Sequence, residues 1–239
     1  MPKNTHILLR ALQYPLLFVI TLLLVHIYGS FADIKWSHLG IYPREIHGLK
    51  GIFSSVFIHG SWKHLFNNSI PLLVLGTALF YFYRSLAVKI TLYSILYSGL
   101  LLWLGGRPSF HIGASGLVYA LASFLFFSGF IRKHNQLMAL SMCVVFLYGG
   151  LVWGIFPTQE RISWEGHLFG SLFGFLAAVL YRKNGPEDDK EPEFDDSDLD
   201  DDNPYWLEGT EKAKAPEQPT TTYNYVYKSK PNTGTNIDD

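Results

Sequence analysis

Six stretches of the chain are dominated by apolar residues: approximately Leu12 to Tyr28, His64 to Tyr83, Leu86 to Leu104, Ser115 to Phe130, Leu137 to Phe156 and Trp164 to Tyr181. A helix needs roughly 20 apolar residues to cross the hydrocarbon core of a bilayer, and fewer when other helices shield it. The pattern therefore predicts six membrane-spanning helices. The fourth is short and polar at its start, which suits a central helix better than a lipid-facing one. Beyond Lys183 the apolar runs stop. An acidic run from Glu187 to Asp202 is followed by Pro, Thr, Lys and Asn, a composition that buries too little apolar surface to fold. The expected organisation is a membrane domain over residues 1–182 and a disordered tail over 183–239.

Charge sharpens that division and orients the spans. Residues 1–182 hold 13 Lys and Arg and only four acids, a net +9, whereas the tail holds six basic and 16 acidic residues, a net −10. The near-zero total conceals two opposite halves. Lys3 and Arg10 precede the first span, Arg84 and Lys89 join the second to the third, Arg132 and Lys133 join the fourth to the fifth, and Arg182 and Lys183 follow the sixth. The opposite short loops offer only Arg107 and Arg161. The excess of basic residues in cytoplasmic loops places both termini in the cytoplasm, in a multi-pass protein of the cell membrane. Asp33, Glu45, Glu160 and Glu165 then all fall on the outside. The long first loop, 30–63, carries Trp36, Tyr42, Ile46, Leu49, Ile52 and Phe53 among charges, as short amphipathic pieces lying in the interface would. A secretory signal cleaved near Gly29 is disfavoured because further spans follow. Cys143 is alone, so no intramolecular disulfide can form.

Polar side chains at membrane depth are costly and ask for an explanation. His64, Asn67 and Asn68 open the second span, Ser115 the fourth and His167 the sixth. With the N terminus inside, even-numbered spans run from outside to inside, so hydroxyl, imidazole and amide groups share one layer near the outer face. Gly113-Ala114-Ser115-Gly116 lets the backbone turn into a helix and leaves a serine in its first turn. Ser115 and Tyr119 lie on one helical face. Gly166, Gly170 and Gly174 form a doubled small-xxx-small pattern that admits another helix closely. His167 lies three residues before Gly170, roughly 60° around the axis, beside that seam. If the fourth span packs there, the imidazole reaches Ser115, the nucleophile and base relation of acyl transfer. Apart from Glu165 at the very head of the sixth, which points away from His167, no Asp or Glu lies within any span, so a dyad is expected and not a triad. Tyr119 offers the imidazole a surface to rest on. His64 and Asn68, four residues apart, could with the Ser115 backbone N–H receive an oxyanion. Each feature alone is ordinary helix packing or interhelical hydrogen bonding; their conjunction at one depth points to a site.

His59-x4-His64-x3-Asn68, Gly113-Ala114-Ser115-Gly116 with Tyr119, and Gly166-His167-x2-Gly170-x3-Gly174 together resemble the motifs of the rhomboid intramembrane serine proteases, over about Ile52 to Tyr181. The resemblance implies an all-α membrane protein with the compact six-helix rhomboid core. It implies Ser115 as nucleophile, His167 as general base, and His64 and Asn68 as oxyanion donors. Gly113, Gly116, Gly170, Gly174 and Tyr119 would support them, and His59 would be structural. Transmembrane proteins would be the substrates and the lipid bilayer the surroundings. No cofactor, metal or nucleic acid is implied, although His59, His64 and His167 form a weaker metal alternative. One departure stands out: Lys50-Gly51 occupies the place where many rhomboids carry a Trp-Arg pair. Two rival functions are a proteolytically inactive relative that binds and routes membrane proteins, and a small transporter. Retention of Ser115 and His167 weighs against the first, and the lack of internal repeats and midplane charges against the second. No His-Glu-x-x-His motif exists for zinc. The tail, with Tyr223, Tyr225 and Tyr227, is a candidate for binding a cytoplasmic partner.

Overall fold

The computed structural model describes residues 3–147, 153–157 and 162–185. Seven α-helices are formed there: α1 (Lys3–Phe31), α2 (Gly51–Ser54), α3 (Trp62–Phe82), α4 (Ala87–Gly105), α5 (Ser115–Ile131), α6 (Asn135–Leu147) and α7 (Trp164–Leu180). All but the one-turn α2 coincide with the six apolar stretches. The segment His6–Phe31, together with α3 and α4, is long and apolar enough to cross a membrane, while α5 and α7 are apolar but only 17 residues each. The proposed binding role of the tail lies outside the described residues.

α5 is the central helix, as its composition predicts. Ten of its 17 residues are buried, among them Leu121, Phe124 and Leu125. The core continues through Leu22 of α1, Leu65, Leu75 and Leu79 of α3, Ile90 of α4 and Ala178 of α7. Large apolar side chains are also exposed on the outer helices: Leu17 and Leu24 on α1, Leu92 on α4, Phe146 on α6 and Leu180 on α7. A water-soluble protein would bury such a surface; in a bilayer it meets acyl chains. Pro15 and Pro71 lie inside α1 and α3, and membrane helices tolerate them because neighbouring groups re-satisfy the freed backbone.

One span departs from expectation. The fifth is expected to run as a helix to Phe156; among the described residues α6 covers Asn135–Leu147, and Trp153–Ile155 form a 3-10 turn where α-helix was expected. That turn lies against the first turns of α5 and α7, where the Gly154 carbonyl serves a side chain of α7.

The first loop is folded into short turns, Trp36–Leu39, Ile46–Gly48, α2 and Ser55–Phe57. It docks on the end of α4 and on the α4–α5 connection. The Arg44 guanidinium donates to Gly106 O at 3.0 Å, Trp103 Nε1 donates to Glu45 O at 2.9 Å, and Ile41 forms an isolated antiparallel bridge with His111. Where many rhomboids have Trp-Arg, the backbone of Gly51 lies directly on that of Gly40 and Ile41. Ile46 and Phe53 are exposed, the apolar sides of the interfacial pieces expected here.

Candidate active site

Three helix beginnings meet at one end of the bundle. Ser61 caps α3, its hydroxyl accepting the His64 N–H at 3.2 Å, which satisfies one of the orphan donors of a helix start. Gly113, at φ +109°, turns the chain into α5, and its N–H donates to Ser55 O at 2.9 Å. That φ lies where L side chains are rarely found. Ala114 N–H then donates to His59 Nε2 at 3.4 Å, and Ser115 is the first residue of α5. α7 lies so close to α5 that a Cβ on Gly170 would sit 2.2 Å from the Gly116 carbonyl oxygen. The glycine seam read from the sequence is therefore the contact that joins the two helices.

That contact brings His167 Nε2 to 2.8 Å from Ser115 Oγ. The other ring nitrogen, Nδ1, lies 2.9 Å from Gly154 O. A carbonyl oxygen can only accept, so Nδ1 carries the proton and Nε2 keeps its lone pair for the Ser115 hydroxyl. The Tyr119 ring is stacked on the imidazole at 4.2 Å with an interplanar angle of 8°, which fixes its plane. Orientation thus comes from a backbone carbonyl and an aromatic face. Glu165 does not take part: it sits in the first turn of α7 and is buried. Its carboxylate faces Arg107, at 3.5 Å from Nε. A buried carboxylate is tolerated when a cation compensates it.

His64 and Asn68 flank the same point. A Cβ built on Gly113 would lie 2.6 Å from His64 Nε2 and 3.6 Å from Asn68 Nδ2. Asn68 is buried, and its Nδ2 has no hydrogen-bond partner among the described residues. Buried donors are nearly always paired, so one left unused beside a serine asks for a ligand. The Ser115 N–H opens α5 and has no acceptor within the helix, and the helix N terminus favours negative charge there. His59 stacks edge-on with His64 at 5.0 Å. Burial first, and the neighbouring His64 second, lower its pKa to about 3, so it is neutral and accepts the Ala114 amide. Metal chelation does not fit this arrangement, since both nitrogens of His167 have other partners; among the described residues no three metal-binding side chains gather.

A family model described as a rhomboid domain matches residues 47–184, more than half of the chain. The chain belongs to the rhomboid family. This rhomboid is also 34% identical over 174 residues to uncharacterized proteins of Mycobacterium tuberculosis and Mycobacterium bovis, covering 69% of this chain and 72% of theirs. A protein of Mycobacterium leprae, also uncharacterized, is 33% identical over 175 residues, 69% of each chain. The match takes in α2 to α7 and leaves α1 outside it.

Two parts of the rhomboid site have no signature in its sequence. One is the Gly154 carbonyl, because a main-chain acceptor is carried by every residue type and only its placement matters. The other is a cavity of about 30 Å³ beside Ser115, whose lining includes Ser55, Ser98, Ser163 and His111. By volume and polarity it has room for about two water molecules. His111 was also passed over; a histidine four residues before the serine, in a short connection between spans, was the available signal.

Proposed function

We propose that this rhomboid is an intramembrane serine endopeptidase that hydrolyses transmembrane proteins through Ser115 and His167. The observation that carries the proposal is the 2.8 Å Ser115 Oγ to His167 Nε2 contact, with the opposite ring nitrogen committed to Gly154 O. The imidazole is held in the tautomer that can take the serine proton.

The chemistry follows from those positions. As Ser115 Oγ attacks a peptide carbonyl, its proton passes to His167 Nε2. The imidazolium so formed is stabilised by Gly154 O and by the Tyr119 face, since aromatic rings attract cations. Negative charge collects on the former carbonyl oxygen, for which the Ser115 N–H, Asn68 Nδ2 and His64 Nε2 are candidate donors. His167 then gives its proton to the leaving amine, and the C–N bond breaks to leave an acyl-serine. Water, activated by the neutral His167, hydrolyses the ester and restores the enzyme. The polar cavity beside Ser115 is a reservoir from which such water could come.

These groups all sit at the N-terminal ends of α3, α5 and α7. With both termini cytoplasmic, as the basic loops argue, that end faces outward, and scission falls near the outer end of a substrate span. A substrate helix has its carbonyls internally bonded, so the cleaved stretch has to unwind first. Small residues near Gly or Pro are the preferred sites. The test is mass spectrometry of both products from a tagged single-span substrate in liposomes, with the Gly or Pro moved from the outer to the inner third. Products cut near the cytoplasmic end would overturn the depth, and indifference to the helix-weakening residue would overturn the unwinding. The inactive-relative reading makes the opposite forecast for labelling of Ser115 by a fluorophosphonate.

A further inference from the structure

The connection from α4 to α5 and the first turn of α7 grip each other through side chains that the chemistry above does not use. Arg107 pairs through Nε with Glu165 Oε1 at 3.5 Å, its backbone N–H donates to the same oxygen at 3.4 Å, and Nη2 donates to Ile162 O. His111 is buried, with Nδ1 at 2.6 Å from Ser163 Oγ and Nε2 at 3.1 Å from Arg107 O. The carbonyl only accepts, so Nε2 bears the proton and Nδ1 accepts the Ser163 hydroxyl. His111 is itself pinned by two backbone hydrogen bonds with Ile41, at 2.8 and 3.0 Å.

Ser163 immediately precedes α7, where a serine ordinarily caps the helix with its hydroxyl. Here it makes no such cap; its hydroxyl goes to His111 instead, and its carbonyl accepts the His167 N–H at 3.3 Å. The spacing is symmetrical: His111 is four residues before Ser115, and Ser163 four before His167. One cross-link therefore lies four residues ahead of each reacting side chain. We infer that Arg107 and His111 are positioning residues, a clamp that sets the height of His167 against Ser115. The inference rests on the protease reading for its consequence in catalysis, but the clamp itself is a matter of geometry.

The experiment uses the full chain in detergent with His111→Ala, His111→Asn and His111→Gln, and reads three quantities. These are the rate of Ser115 labelling by a fluorophosphonate, kcat and KM on a single-span substrate, and the ¹⁵N resonance of His167 Nε2. His111→Ala is expected to slow labelling and kcat by roughly 10- to 100-fold, since a displacement of about 1 Å costs on the order of 10², with KM within about twofold. Its His167 resonance is expected to shift toward that of Ser115→Ala. Asn can place its carbonyl oxygen where Nδ1 was and accept the Ser163 hydroxyl, so His111→Asn should recover most of the rate. The Gln amide reaches only the Nε2 position and should not. An unmoved His167 resonance in His111→Ala overturns the clamp. So does a loss that is equal in the Ala and Asn variants and follows their melting temperatures, because that is structural damage alone. A wild-type chain that neither labels nor cleaves would sink the protease reading, while the resonance would still decide the clamp.

Discussion

Adding one methyl group at Gly170 should separate the two reacting side chains without unfolding the bundle. The new Cβ would fall 2.2 Å from the Gly116 carbonyl oxygen, and this neighbour is backbone, which cannot rotate away. Ordinary contact requires about 1 Å more, so α7 has to retreat from α5 by about that distance. His167 lies one turn from Gly170 on the same helix, and its 2.8 Å hydrogen bond to Ser115 would open toward 3.8 Å or so, beyond hydrogen-bonding range. Overpacking costs about 1–3 kcal/mol, whereas replacing glycine by alanine inside a helix returns about 1 kcal/mol. The net loss of stability is then about 2 kcal/mol at most, small enough for a folded core. The catalytic loss is larger, on the order of 10² in rate for a misplacement of this size. Gly170→Ala should therefore keep its helicity and melt within several degrees of the parent, while kcat and fluorophosphonate labelling drop about a hundredfold. Gly60→Ala is the control, since its Cβ would meet nothing closer than Ile112 at 3.7 Å. Full activity in Gly170→Ala, or a loss equal to that of Gly60→Ala, would refute the claim that this seam sets the Ser115–His167 distance.

Ser115→Ala and His167→Ala should each abolish cleavage of a single-span substrate while circular dichroism and expression stay unchanged; normal turnover by either ends the protease reading. Asn68→Ala should slow single-turnover cleavage by about 10² to 10³, the usual loss for one oxyanion donor, with the His64→Ala/Asn68→Ala double variant slower still. His59 gives a pH signature of definite sign. Its pKa falls from 6.5 to about 3 on folding, so the unfolded chain binds the extra proton and stability declines as pH drops below about 6.5. At pH 5 the loss from this group is roughly 2 kcal/mol as an upper bound, to be read as a lowered melting temperature in detergent whose pH slope flattens in His59→Gln. His111, also lowered by burial, contributes with the same sign, so the flattening should be partial. Truncation after Lys183 should leave activity in detergent intact, as measured on the same substrate.

Much of this rhomboid was legible before any coordinates because the bilayer restricts what a chain can do. Apolar runs marked where α1 and α3 to α7 lie along the chain, and the short polar-headed fourth stretch announced the buried helix α5. The close packing of α5 on α7 was readable as well, since only glycines at every fourth position let two backbones touch. Ser115, His64, Asn68 and His167 could be placed together because each opens a span of the same direction, with Tyr119 one turn below Ser115 on the same helical face. Periodicity is blind to what lies opposite a helix face, however. That Gly154 would sit in a 3-10 turn and offer its carbonyl to His167 depended on a main-chain atom identical in every residue. That Glu165 would be buried against Arg107, and that Ser163 would forgo its cap for His111, depended on loops folding back onto helix ends from distant parts of the chain. The sequence alone settled which groups share a layer, because that is governed by local geometry and transfer energy; only the tertiary structure decided which of them touch, because that is a question of non-local packing.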